Sequence, residues 1–387
     1  MNFPTSISSS KHMNIKSGNY IPSLDGLRAI SILLVLASHL LVASNLTTTS
    51  PIPGGLGVTI FFFISGYLIT GLLLSELKNS HRIDAKAFYI RRFLRLYPPM
   101  LIMILCIMSF LWINHKPVSF QESLAAIFYY ENYYLAQNPA SDGRYSILWS
   151  LAVEEHFYLI YPLIVIVCGR RLKLLLGITL LLTVIPLCLR LFIAYEHNAD
   201  STSLSYTYSL THCRFDSILY GCLTSILINS DYSNKFFKII SSRPVYISSL
   251  ILFCILFVIR DEFFKQTIRF SLQGICFIIL IPGIIYSKSS LNRFFSLKAL
   301  LFIGKLSYSI YLFHYAVIEM MRDYSFQSPF IYIIVNLTLS TALSLGSYYF
   351  IEIPMMSFRK RYGSNVKAES PAELSNNTVR VYEDLKM

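Results

Sequence analysis

Apolar runs long enough to cross a hydrocarbon core recur along almost the whole chain, and this limits the possible folds more than any other feature. A helix needs roughly 17–25 apolar residues to span a core about 30 Å thick. Runs of that kind fall at approximately 26–44, 54–75, 97–113, 147–167, 173–194, 212–229, 244–259, 266–286, 303–321 and 329–351. They are continuous, without the period-two alternation of barrel strands, so each must satisfy its own backbone as a helix. Of the 387 residues, 54% are hydrophobic and 14% charged, a balance foreign to soluble domains. The expectation is an all-α, polytopic transmembrane helical bundle of about ten spans.

No gap between the runs holds a soluble domain. The chain therefore divides into a polar tail (1–20), a membrane domain (21–357) and a second polar tail (358–387). The net charge of +12 does not point to nucleic acid, because its cations are distributed by topology. Lys78, Arg82, Lys86, Arg91, Arg92 and Arg95 follow the second run, Arg170, Arg171 and Lys173 the fourth, and Arg359, Lys360 and Arg361 the last. Intervening loops on the other side are poorer in cations, which predicts both termini on the cytoplasmic side. A secretory signal peptide over 11–44 is rejected, since that run contains Arg28 and His39 and lacks a small-residue cleavage site. The seven cysteines form no CxxC pair and read as packing residues. Neither a metal-ligand cluster nor a Walker or dinucleotide glycine motif is present, so no metal and no tightly bound cofactor are expected.

Ionisable groups inside apolar spans are costly and mark candidate functional positions. The first span, "LDGLRAISILLVLASHL", carries Arg28 and His39 eleven residues apart, which on a helix is three turns plus about 20° and a rise of roughly 16 Å. They share one face. The fourth span, "LWSLAVEEHFYLIYPL", brings Glu154 and Glu155 to the estimated depth of His39, and only one of two consecutive residues can face it squarely. A carboxylate beside an imidazole can orient it for general base work, or the pair can simply hold helices together. Glycines 54, 55, 57, 66 and 71 around Ser65 suit close approach of a second helix or a ligand. Arg92 and Arg95, at i and i+3 before Pro98-Pro99, share a face whose guanidinium forks suit phosphate, although topology alone also favours arginines there. Arg214 and Asp216 read as an outer-face ion pair or helix-end cap, His314 as a packing residue, and all three alternatively as ligand contacts.

Taken in order, these blocks resemble the acyltransferase-3 family of bacterial membrane O-acyltransferases. "LDGLRAISILLVLASH", "FFFISGYLIT", "FYIRRFLRLYPP", "LWSLAVEEHFYLIYP", "RFDSILYGCL" and "KLSYSIYLFHYAV" are similar to its successive motifs and cover about residues 21–357. The resemblance implies transfer of an acyl group, usually acetyl, from cytoplasmic acyl-CoA to hydroxyls of exported glycans such as O-antigen (lipopolysaccharide) or exopolysaccharide. It implies a bacterial inner-membrane location, with acyl-CoA as co-substrate and a glycan acceptor and membrane lipids as partners. By the same resemblance His39 is the catalytic histidine, Arg28 its basic companion and Arg92 and Arg95 the pair that holds CoA.

The mechanism expected on that footing is direct transfer, with His39 as base, Glu154 or Glu155 orienting it, and Ser65 and Tyr67 as candidates for the oxyanion. An acyl-histidine intermediate is the variant. Arg214, Asp216 and His314 are kept as candidate oxyanion or acceptor contacts. The family commonly has Gln where this chain has His156 and an aromatic where it has Ser38. Some members carry a soluble esterase-like domain after the membrane part; the short form without it is expected here, with loop 114–146 engaging the acceptor. Its tyrosine-rich 129–137 stretch could stack on sugar rings. The rival expectation is a proton-coupled glycan or lipid transporter or flippase that uses the same buried charges as a relay.

Overall fold

The structure is a computed structural model that describes residues 20–362; the expected tails therefore lie almost wholly outside the described residues. Ten long helices form the bundle: α1 (Pro22–Ala43), α2 (Gly54–Ser80), α3 (Ala85–Ile113), α4 (Trp149–Cys168), α5 (Leu172–Glu196), α6 (Thr211–Asn229), α7 (Arg243–Val258), α8 (Ile268–Tyr286), α9 (Lys298–Met321) and α10 (Pro329–Ser347). Among the described residues there is no strand. The end from which α1 starts is here the inner end, following the charge asymmetry.

Eight helices are long and apolar enough to cross a membrane, nine if Ser233–Ile240 and α7, bent by 67°, are one span. The remaining expected span, 212–229, is α6, and it differs for a physical reason. Packed between α2, α5 and α8, it buries Arg214, Asp216, Thr224 and Ser225, so protein rather than lipid receives its polar groups.

Local chemistry sets several boundaries. Pro22 and Pro329 occupy first-turn positions, where a missing N–H costs nothing. Asp84 caps α3 by accepting from the Ala87 amide at 2.9 Å. The helix therefore starts twelve residues before the expected 97 and runs through Pro98-Pro99. Its first turns carry Arg91, Arg92 and Arg95 as helical residues of the span itself.

Hydrophobic burial contributes little to association between helices already in lipid, so close backbone approach matters. A Cβ on Gly66 of α2 would lie 2.0 Å from the Ile218 carbonyl oxygen of α6, and one on Gly221 of α6 2.0 Å from that of Phe63. Only glycine fits at this crossing. On the other side of the bundle α1 packs along α9. α10 ends in a π-helical turn, Tyr348–Glu352, that leads into Ile353–Arg359. Pro354 has no N–H for the Phe350 carbonyl, and a wider turn is a common answer at such a point. At the outer end, Lys116 meets Asp323 at 2.6 Å and Arg144 meets Glu319 at 3.5 Å, which ties loop 114–148 to the end of α9.

Candidate active site

A cavity of about 780 Å³ opens among α1, α2, α3, α4, α6, α8, α9 and the segment after α10. Of the expected site residues, Arg28, Ser65, Tyr67, Arg92, Arg95 and Glu154 line it together. Lys305, Tyr308, Glu352 and Arg359, which the sequence did not assign to the site, join them. Arg359 reaches the wall from the end of Ile353–Arg359, the helical segment that continues from α10 through the π-helical turn.

The cavity is rich in cations with few anions to balance them. Arg28 pairs with Asp25 at 3.3 Å, and Tyr20 also donates to Asp25 at 2.7 Å. Arg92, Arg95, Lys305 and Arg359 form no ion pair among the described residues. Arg92 instead lies over the rings of Phe88 and Tyr158, with its guanidinium carbon 5.6 and 5.3 Å from the ring centres. Glu352 accepts from Ser309. Glu154 accepts from Ser65 at 2.7 Å, and Tyr67 shares a 2.5 Å hydrogen bond with Tyr286.

His39 does not meet Glu154. Its Nδ1 lies 2.9 Å from Nε2 of the fully buried His314, the two rings stacked within 9° of parallel. Nδ1 of His314 lies 2.7 Å from the Ile310 carbonyl oxygen. That oxygen can only accept, so His314 carries its proton on Nδ1 and offers Nε2 as an acceptor. With both rings neutral, His39 donates from Nδ1 and its lone pair sits on Nε2. The partner that His39 meets is thus His314, which the sequence placed near mid-depth without naming its partner, and neither Glu154 nor Glu155. Glu155, turned about 100° from Glu154, makes no hydrogen bond among the described residues.

Neither His39 nor His314 belongs to the cavity wall. Tyr311 stands between, since it lines the cavity and its ring lies 6.1 Å from that of His314. Tyr315 meets His39 edge-on at 5.8 Å and bonds Ser146 at 2.5 Å, so the outer loop closes over the pair.

Arg214 and Asp216 do not form the expected outer-face pair. Both are fully buried, and Asp216 is held by Arg190 at 3.0 and 2.6 Å and by Ser271 at 3.0 Å. Consecutive helical directions explain this: two residues apart on α6 is about 200°, so Asp216 faces α5 while Arg214 faces Thr59 of α2. Arg190 was missed because it reads as one charge in an otherwise apolar span. His156, which departs from the resemblance, bonds Thr211 at 2.8 Å, away from the cavity. Among the described residues no group of His, Cys, Asp and Glu could hold a metal ion.

The family model described as an acyltransferase domain matches residues 21–349. O-acetyltransferase OatA of Staphylococcus aureus is 33% identical over 360 residues in strains NCTC 8325 / PS 47 and COL, covering 88% of this chain. The chain spans 58% of the length of those relatives. No solved structure matches it. A family match over most of the chain, on a helical membrane bundle, leads to one conclusion: the chain belongs to the acyltransferase-3 family of membrane acyltransferases.

Proposed function

We propose that this chain transfers an acetyl group from acyl-CoA, held from the inner side, to a hydroxyl of an exported glycan, with His39 as general base. The observation that carries the reading is the cavity. Four cations without ion-pair partners line it, and its wall at Tyr311 backs onto the His39–His314 pair. Guanidinium and ammonium groups of that kind match the phosphates of CoA.

In this reading the acceptor oxygen attacks the thioester carbonyl carbon while its proton passes to Nε2 of His39. The tetrahedral centre collapses, the carbon–sulfur bond breaks, and the CoA sulfur leaves with the electron pair and takes the proton back from His39. His314 fixes the tautomer that leaves Nε2 free. Ser65 and Tyr67 are hydroxyl candidates for the oxyanion, with Ser65 engaged by Glu154 until substrate arrives. Both termini face the cytoplasm in this arrangement, and the membrane is the bacterial inner membrane. The name of the S. aureus relatives supports acetyl as the group moved.

The test is transfer of labelled acetyl from acetyl-CoA to cell-surface polysaccharide by membranes that carry the intact chain or His39→Ala at matched expression. Label that depends on His39 upholds the reading. Absence of transfer from the intact chain with native acceptors, or an unimpaired His39→Ala, overturns it in favour of transport without chemical change.

A further inference from the structure

Arg214 is fully buried, yet no carboxylate answers it. One nitrogen, Nη2, donates to Thr59 at 3.1 Å, while Nε and Nη1 are enclosed without any partner. Its guanidinium carbon lies 3.8 Å from the centre of the Phe270 ring and 5.5 Å from that of Tyr208. Arg269 approaches the same Phe270 ring at 5.8 Å, and its Nε is likewise enclosed without a partner. A third guanidinium near that ring, Arg190, is neutralised by Asp216.

The anions of the surrounding elements are already engaged. Asp216 serves Arg190 and Ser271, Glu262 pairs with Lys265, and Asp261 caps the Phe264 amide. Two cations therefore share one aromatic wall with three nitrogens that have no hydrogen-bond acceptor, while the nearby carboxylates Asp216 and Glu262 are each paired with another cation. Burying a charge without a partner is costly, and the arrangement is accounted for if an anion arrives from outside the chain. Arg214 opens α6 and Arg269 opens α8, which places both at the outer end, and half-buried Arg269 and Tyr208 give access.

We propose that Arg214 and Arg269 form an anion-binding site for a carboxylate or phosphate group on a ligand that enters from the outer end. The site is close to the histidine pair. A Cβ on Gly55 would lie 2.9 Å from the Tyr208 hydroxyl, and one on the adjacent Gly54 would lie 2.7 Å from Cβ of Ser38, the neighbour of His39. A ligand anchored there by its anion can thus present another part of itself to His39. Insofar as this ligand is the acceptor, the inference rests on the acyl-transfer reading, and it makes the acceptor an acidic glycan or a phosphate-bearing one.

The chain has two tryptophans, Trp112 and Trp149. Trp112 is 76% exposed, while the Trp149 ring lies 4.8 Å from that of Tyr208, tilted by 47°, and 6.0 Å from the Arg214 guanidinium. The full chain with Trp112→Phe, in maltoside micelles, would be titrated with glucuronate, inorganic phosphate and glucose. Trp149 fluorescence and the midpoint of thermal unfolding are read together.

A saturable response to an anion, absent with glucose and weakened at least tenfold by Arg269→Gln, is expected. Arg269→Gln is the primary variant because its half-buried side chain tolerates change better than Arg214. Response to glucuronate alone identifies a carboxylated sugar, and response to phosphate, or to micelles doped with phosphatidic acid, identifies a phosphate group. No saturable response by either readout, or one that glucose matches or Arg269→Gln leaves intact, overturns the proposal. Acetyl transfer to an acidic glycan and to its carboxyl-reduced form is measured separately. Anion binding without any transfer would leave the site standing while the acyl-transfer reading fails.

Discussion

Nδ1 of His39 and Nε2 of His314 lie 2.9 Å apart, and the Ile310 carbonyl behind His314 decides which of them carries the proton. The two imidazoles lie 275 residues apart in sequence, on α1 and α9, and their contact leaves Nε2 of His39 as the free base.

A side chain at 314 that can accept from His39 should preserve more activity than one that cannot. His314→Gln offers an amide oxygen and is expected to retain several-fold more transfer than His314→Leu. The latter should fall by about 10²-fold or more, the usual scale for a disabled general base. Initial rates with labelled acetyl-CoA at matched expression check this, and equal losses in the two variants would remove the tautomer argument.

Arg92, Arg95 and Arg359 should act on the donor rather than on the chemistry. Loss of one charge-assisted hydrogen bond, about 1.5–3 kcal/mol, corresponds to a rise in KM for acetyl-CoA of about 10–100-fold with little change in kcat. Arg359→Gln is the informative variant, since Arg359 lines the cavity from the segment after α10, apart from the Arg92 and Arg95 pair on α3. Its effect should vanish with a truncated acetyl thioester that lacks phosphates, and an undiminished effect would exclude phosphate contact.

The Arg190–Asp216 pair is enclosed on all sides. Asp216→Asn is expected to lower stability by about 3–5 kcal/mol, because Arg190 is then left without its counter-charge. The double variant Arg190→Leu/Asp216→Asn should be less destabilised than the sum of the two single changes. Thermal unfolding in micelles reads both outcomes, and strict additivity would show that the two do not act as a pair.

In the outer loop, burial and the neighbouring Glu122 push the Glu131 carboxyl up to about 8, and both its oxygens lack hydrogen-bond partners. The folded form thus holds a proton that the unfolded chain releases near the ordinary carboxylate value. Stability contributed by the neutral group is full below that ordinary value and is lost as pH rises towards about 8. At about 1.4 kcal/mol per unit, the loss is of the order of a few kcal/mol. Glu131→Gln should flatten the profile and raise the unfolding midpoint at pH 8, and an unchanged pH dependence would assign the effect elsewhere.

Much of the bundle could be read from the chain itself. Ten apolar runs became ten long helices, since a run of that length in lipid has few other ways to satisfy its backbone. The Arg28, Arg92, Arg95, Glu154 and Ser65 set could also be named, because charged and small residues inside such runs need a reason. Their grouping in one cavity could not, because it depends on how separate helices cross.

Local pattern determined which segments are helical, which side their cations favour and which residues are too polar for lipid. Partners were decided by packing. Helical direction sends Asp216 to Arg190 and Arg214 to Thr59, the glycine crossing draws α6 against α2, and α9 brings His314 to His39 in place of either glutamate. Each of these pairings joins residues on different helices, and side-chain spacing within one helix carries no record of which neighbour will face it.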